Sequence, residues 1–297
     1  MARTTIDLSR LPPPDAVQVV DYEAIWAEVK ADIVARAPEA APALELESDL
    51  FARVGQAFAY RVMLKMSAVN QAVRAVMPAL ATGGDLDQIG LRAGIQRLEL
   101  DPGNPAQNIA PTYESDDDFR RRVVLAPEGF SVAGPSGAYE FHALSADGDV
   151  KDASAISPAE SEAVVTVLSR TGDGAASPEL LATVEAALTP DDVRPMCDFV
   201  TVQSAAITPY VITATIRTYA GPDPSVVMAA AQAAAAAFVA DAHRLGRDIN
   251  RSSLYAALTV EGVMRVDLTS PAANIVCDAT QAAFCTAINL TSGGVDE

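Results

Sequence analysis

YEFHALSADGDVKDASAISPA, residues 139–159, and YAALTVEGVMRVDLTSPA, residues 255–272, share one pattern. Each predicts a helix, a stop at Gly148 or Gly262, a short strand from Val150 or Val263, and a turn at Ser157-Pro158 or Ser270-Pro271. Glycine ends a helix because it enters the left-handed region without a Cβ clash. Ser-Pro closes a strand because proline offers no N–H to a ladder. Each stretch has a companion of opposite order, strand then helix. Residues 163–169 lead to Ser177-Pro178-Glu179-Leu180, and residues 210–219 lead to Gly221-Pro222-Asp223-Pro224. Ser177 is placed to cap, with Pro178 at the first helical position. The fold class is therefore α+β, with two related modules over 114–206 and 207–297, the second opening with its strand–helix half.

Upstream of the modules the chain reads as helix. Residues 22–37 form one helix, ending before Pro38, and a longer one runs from Leu50 to Met77, where Pro78 stops it. Ser48 or Asp49 can cap it. Phe51, Val54, Phe58, Val62, Met66, Val69, Val73 and Val76 recur at spacings of three and four and draw an apolar stripe. At 1.5 Å per residue the helix is roughly 45 Å long, more than a small domain needs. It is either the core helix of a bundle or a helix between subunits. Gly83-Gly84 breaks the chain, and a short helix from Asp85 reaches Ala93. Pro102, Gly103, Pro105 and Pro111 mark a boundary at 101–113, so the helical region spans 21–113. Residues 1–20, with Leu11-Pro12-Pro13-Pro14, read as an extended arm that is ordered only against a neighbour.

Charge sorts along the same lines. The chain carries 21 Lys and Arg against 39 Asp and Glu, a net −18. Residues 1–50 hold 4 basic and 10 acidic side chains, yet residues 51–100 hold 6 basic and 3 acidic ones. A basic, apolar segment inside an acidic chain suits docking on an acidic protein surface. The overall sign excludes a phosphate-backbone binder, so no nucleic-acid partner is expected. No apolar run is expected to reach a membrane span, and no membrane partner follows.

Catalytic chemistry is hard to find. Gly134-Pro135-Ser136-Gly137 lacks the spacing of a nucleophile elbow, and Thr171-Gly172-Asp173-Gly174 places a carboxylate where a phosphate loop would need none. Glu140 and His142, two apart on a helix, point to different faces. Cys197, Cys277 and Cys285 lack CxxC spacing, and with only His142 and His243 no zinc set assembles; the cysteines read as core filling. Asp116-Asp117-Asp118 before Arg120-Arg121-Arg122 is a helix start with acids in its first turn and an Asp116–Arg120 pair, not a calcium loop. No catalytic, metal or cofactor residue is expected. Candidate interface residues are Phe58, Val62, Met66, Val69 and Val73 on the long helix, with Arg247 and Asp248 beyond the alanine-rich helix 226–242. Arg244 and Arg247 could instead close that helix end.

Several runs together resemble the baseplate J family of contractile phage tails. They are Ala59-Tyr60-Arg61, Asn70-Gln71-Ala72-Val73, residues 79–87 (ALATGGDLD), Gly94-Ile95-Gln96-Arg97, residues 114–120 (ESDDDFR), residues 134–146 (GPSGAYEFHALSA) and Gly246-Arg247-Asp248-Ile249. The likeness runs in order from about residue 20 to 290, and is greatest to the short J proteins of temperate myophages. Val69-Asn70-Gln71 departs from the Ile-Asn-Glu pattern. The resemblance implies a non-enzymatic baseplate wedge in the virion, made in the host cytoplasm, whose rearrangement releases sheath contraction. Implied partners are a second copy of the chain, a tail protein I-like wedge protein, a small lysozyme-like wedge protein, and the spike hub or sheath through the wedge. The helices would join a bundle with the partner and the C-terminal modules a ring; related machines are headless tail-derived bacteriocins. Two alternatives from other classes are a hydrolase or other enzyme with a site between the modules, and an acidic host adaptor.

Overall fold

The computed structural model describes residues 14–191, 193–221 and 223–295. Most of the expected arm lies outside these residues. The chain divides into two compact units, 1–96 and 97–297.

In the first unit, α1 (Tyr22–Arg36) opens on Asp21, whose carboxylate accepts from the Glu23 and Ala24 N–H groups. A short α2 (Ala41–Leu44) leads to α3 (Leu50–Ala75), and α4 (Gly83–Arg92) follows. Asp49, not Ser48, caps α3 by accepting from the Phe51 N–H at 2.8 Å. The helix stops two residues before Met77. The α4 helix begins at Gly83, two residues earlier than the glycine pair suggests.

The face of α3 that packs on α1 is its small one. Ala52, Gly55 and Ala59 are buried, and a Cβ on Gly55 would lie 2.6 Å from Trp26 Cζ3. Glycine here makes room for the tryptophan. Ile25, Trp26, Leu44 and Ala59 form the core, with Val62, Met63 and Met66 packed at its margin.

The second unit begins with β1 (Glu99–Asp101) and β2 (Thr112–Tyr113), paired antiparallel. The Pro/Gly-rich segment therefore belongs to this unit, and the division at Gln96/Arg97 falls earlier than proline content suggests. Electrostatics explain it. Arg97 donates to the Glu114 carbonyl at 2.8 Å and to Asp116 at 2.9 Å, and Glu114 is buried against Arg122 of α5 (Asp116–Leu125). In the acidic first turn of α5, Asp116 meets Arg97 at 2.9 Å and Arg120 meets Asp117 at 2.6 Å.

Two modules follow. The first runs α6 (Ser136–Ala146), β3 (Val150–Ile156), β4 (Glu162–Ser169), α7 (Pro178–Leu188), β5 (Phe199–Ser204). The second runs β6 (Ala206–Thr218), α8 (Pro224–Ala242), α9 (Arg251–Leu258), β7 (Val263–Ser270), β8 (Gln281–Val295). The sheets are ordered β3-β4-β5 and β7-β6-β8. In each, the central strand has an antiparallel neighbour on one side and a parallel one on the other. A helix precedes the antiparallel edge and another follows the central strand. The two sheets match, and the halves are exchanged in chain order.

Each module buries its own core: Val165, Val167, Val184 and Leu188 in the first, Ile212, Ile216, Leu254 and Leu258 in the second. The residues 224–242 correct the expectation of no long apolar run: α8 is a single helix long and apolar enough to cross a membrane. Alanine supplies that hydropathy, and Val227, Ala231, Ala235 and Ala242 pack the helix into the second module's core.

The modules are also tied to each other. Only Ala205 separates β5 from β6; its N–H donates to Val167 in the first module, and the next N–H donates to Thr280 in the second. Leu168, Ala205, Leu245 and Ala282 share one apolar cluster. The buried Asp152 carboxylate accepts from the Leu245 N–H at 3.0 Å and from Arg121 of α5. Ser154 donates to the Ala279 carbonyl.

Candidate interaction surface

The apolar stripe of α3 exists, and most of it faces out. Phe51, Val54, Phe58 and Val69 are 63%, 62%, 61% and 59% exposed, and Leu50 and Val76 more so. At 100° per residue these side chains share one arc about 100° wide, centred roughly 120° around the helix from Ala52 and Ala59. Val62 and Met66 lie at the seam, half-buried against the α1–α3 core, and Val73 is half-buried further along. Phe58, Arg61, Val62, Lys65, Met66, Val69 and Gln18 line a shallow groove of about 430 Å³. Covering such side chains is worth roughly 1.5–3 kcal/mol each. A soluble chain rarely leaves so continuous an apolar face without a use for it.

Asn70 fixes one wall of this groove. It is buried, donates through Nδ2 to the Gln18 carbonyl at 2.8 Å, and accepts at Oδ1 from the Gln18 N–H at 3.0 Å. A side-chain amide thus pairs with a backbone amide as one strand residue pairs with another. No local sequence signal marks this contact, since the partners stand 52 positions apart.

Arg247 and Asp248 have local partners. Arg247 donates to Asp241 at 2.6 Å and to the Asp241 carbonyl at 3.2 Å, closing the end of α8. Asp248 accepts from the Cys277 N–H at 2.9 Å. Arg247 is still 42% exposed, so its outer side remains open. Both β7 and β8 are edges of their sheet.

Other chemistry is sparse among the described residues. No group of three or more His, Cys, Asp or Glu could hold a metal ion. The three cysteines are free, and burial pushes the Cys277 and Cys285 thiols up. His243 is buried in the second module beside the join; its Nδ1 donates to the Ala283 carbonyl at 2.8 Å, and burial lowers its pKa. Its Nε2 faces Gly174, where a Cβ would lie 2.7 Å away. His142 binds the Gly129 carbonyl at 3.2 Å, and Glu140 is buried on another face of α6. A polar cleft of about 150 Å³ in the first module holds Tyr139, which donates to Asp198 at 2.8 Å, with no histidine or cysteine in its walls. The Thr171–Gly174 segment is a strand–helix turn, with Gly172 and Gly174 at positive φ.

Known proteins match this arrangement along nearly the whole chain. Residues 47–104 match the Baseplate J-like N-terminal domain, residues 131–204 the Baseplate J-like central domain, and residues 210–291 the Baseplate J-like protein C-terminal domain. The exposed α3 face lies in the first match, and each sheet module in one of the others. Baseplate protein J of Escherichia phage P2 is 47% identical over 300 residues, covering 98% of this chain and 99% of that protein. With three domain models in order and identity at this level end to end, the chain belongs to the baseplate J family.

Proposed function

We propose that the protein is a wedge subunit of a contractile-tail baseplate, joined to its neighbours through the exposed face of α3 and through the second sheet module. Membership of the family makes it a structural phage baseplate protein, a virion tail component made in the host, and not an enzyme. The finer reading rests on one observation above others: a 26-residue helix turns its small side chains inward and its large apolar ones outward. That inversion is costly for a free monomer and sensible for a subunit whose core is completed by another chain.

In this reading a tail protein I-like partner covers α3, a small lysozyme-like wedge protein links to the sheath, and a second copy meets the open edges β7 and β8. The hub and sheath are reached through the wedge. Two discrete packings of such interfaces, one favoured on host contact, would release contraction. Tail-derived bacteriocins could use the same part.

The test places Asp at Phe58 and Val69 together. Val62 is less suitable because it packs on the core of its own unit. Phe58→Asp/Val69→Asp should leave the chain folded by circular dichroism and melting, and stop baseplate assembly. Normal baseplates from the double variant would reject the reading.

A further inference from the structure

The α3 face carries a charge pattern as well as an apolar one, and it specifies what covers it. From Leu50 to Ala75 the helix holds Arg53, Arg61, Lys65 and Arg74 and no acidic residue, in a chain of net charge −18. Arg61 and Lys65 sit inside the apolar arc, lining the same groove as Phe58, Val62 and Val69. They are an i,i+4 pair of like charge, a mildly unfavourable arrangement in an isolated helix. Among the described residues no carboxylate forms an ion pair with either. Burying these two ammonium and guanidinium groups under a purely apolar partner would leave charges without counter-charges, which is strongly unfavourable.

We propose that the occupant of this groove is an amphipathic helix of another protein whose apolar stripe carries carboxylates opposite Arg61 and Lys65. The proposal rests on the reading of α3 as a contact face and adds the chemistry of the partner. An elongated partner is required because the exposed residues extend from Leu50 along α3 to its C-cap Val76, about 40 Å at 1.5 Å per residue. Apolar side chains of the occupant seat between Phe58 and Val69, and its acids, three or four positions apart, reach the two cations. The same cations discourage basic helices, so the face selects by charge as well as by fit.

The experiment uses the full chain and three synthetic helices with identical leucine stripes, bearing Glu, Gln or Lys at the flanking positions, read by fluorescence anisotropy. The Glu helix should bind at least about tenfold tighter than the Lys helix, and the preference should shrink as salt rises. Arg61→Glu/Lys65→Glu should reverse the order, with the Lys helix now preferred, which a fold defect would not produce. Equal binding of all three helices, or preference for the Lys helix, overturns the proposal. If none binds while Phe58→Asp/Val69→Asp still blocks assembly, the acidic-helix occupant is rejected and the contact face stands. Concentration-dependent self-association abolished by Phe58→Asp/Val69→Asp would assign the groove to a second copy and likewise overturn it.

Discussion

Removing the Asp152 carboxylate should loosen the join between the two sheet modules while sparing each module's core. Asp152 is fully buried on β3, and its Oδ2 holds the Leu245 N–H of the second module at 3.0 Å. Its Oδ1 holds Arg121, whose side chain is 21% exposed. Asp152→Ala removes the acceptor of two backbone N–H groups, Leu245 and Ala153, and stranding the buried Leu245 N–H alone costs about 1–3 kcal/mol. It also breaks a charge pair; fully buried pairs lose about 3–5 kcal/mol, and partial exposure of Arg121 puts this one below that range. Together the local cost is about 3–5 kcal/mol. Multidomain chains violate two-state unfolding, so a single midpoint would blur the effect. Amide hydrogen exchange reads the join directly. At about 1.4 kcal/mol per decade, exchange at Leu245 should accelerate by roughly 10² to 10³·⁵. Amides deep in the separate cores, such as Val165 and Ile212, should change far less. Asp152→Asn, which keeps one acceptor oxygen, should give a smaller acceleration. If Leu245 exchanged at the wild-type rate in Asp152→Ala, the join would not depend on this carboxylate.

Gly55→Val should disrupt the α1–α3 packing by several kcal/mol, since its Cβ meets the Trp26 ring at 2.6 Å, and the Trp26 fluorescence should shift red on loss of burial. Wild-type melting and emission would refute that packing. Asn70→Ala removes both bonds to Gln18, so limited proteolysis near residue 18 should quicken by about tenfold with α3 still helical. His243 is held below its usual pKa by burial first and Lys151 among the charges, opposed by the Ala283 bond, Asp173 and Asp152. The unfolded chain therefore binds a proton near pH 6.5 that the folded one refuses. The resulting stability is complete above that pH and is lost as pH falls toward the folded value. Between pH 7 and 5, His243→Gln should lose less stability than wild type, measured by urea titration; parallel losses would contradict this.

The sheet modules were legible because their signals are local. Ser177 and Pro178 open a helix, and Val150 and Val263 begin strands just after Gly148 and Gly262, although the helices before them stop earlier, at Ala146 and Leu258. The direction of the α3 stripe was not legible. Spacing at three and four locates Phe58 and Val69 on one face, but it cannot say whether that face meets the chain's own core. The deciding residue was Gly55, whose missing side chain admits Trp26 from 29 positions away. Contacts at long separation were missed for the same reason: Asn70 with Gln18, Arg97 with Asp116, and Asp152 with Leu245. Arg247 reads from sequence as either an interface residue or the closure of its own helix end, and it does bond Asp241 at the end of α8 while its outer side stays open.

The exchanged order of the halves sets a timetable for the chain as it leaves the ribosome. The first module has all three strands once Ser204 has emerged, and its parallel edge β5 is its last piece. The second begins with its central strand. β6, 13 residues long, must wait for β7 on one side and, about 60 residues after its own end, for β8 on the other. At roughly 5–20 residues per second that is about 3–12 s with at least one side of β6 unpaired, held out from a finished module by a single residue, Ala205. An open strand of this kind is a template for another nascent chain. The fifteen residues of β8 close it. A stop codon just ahead of Gln281 would therefore remove less than a tenth of the chain and leave the central strand of its second module bare along one whole side, turning the product into a seed for aggregation.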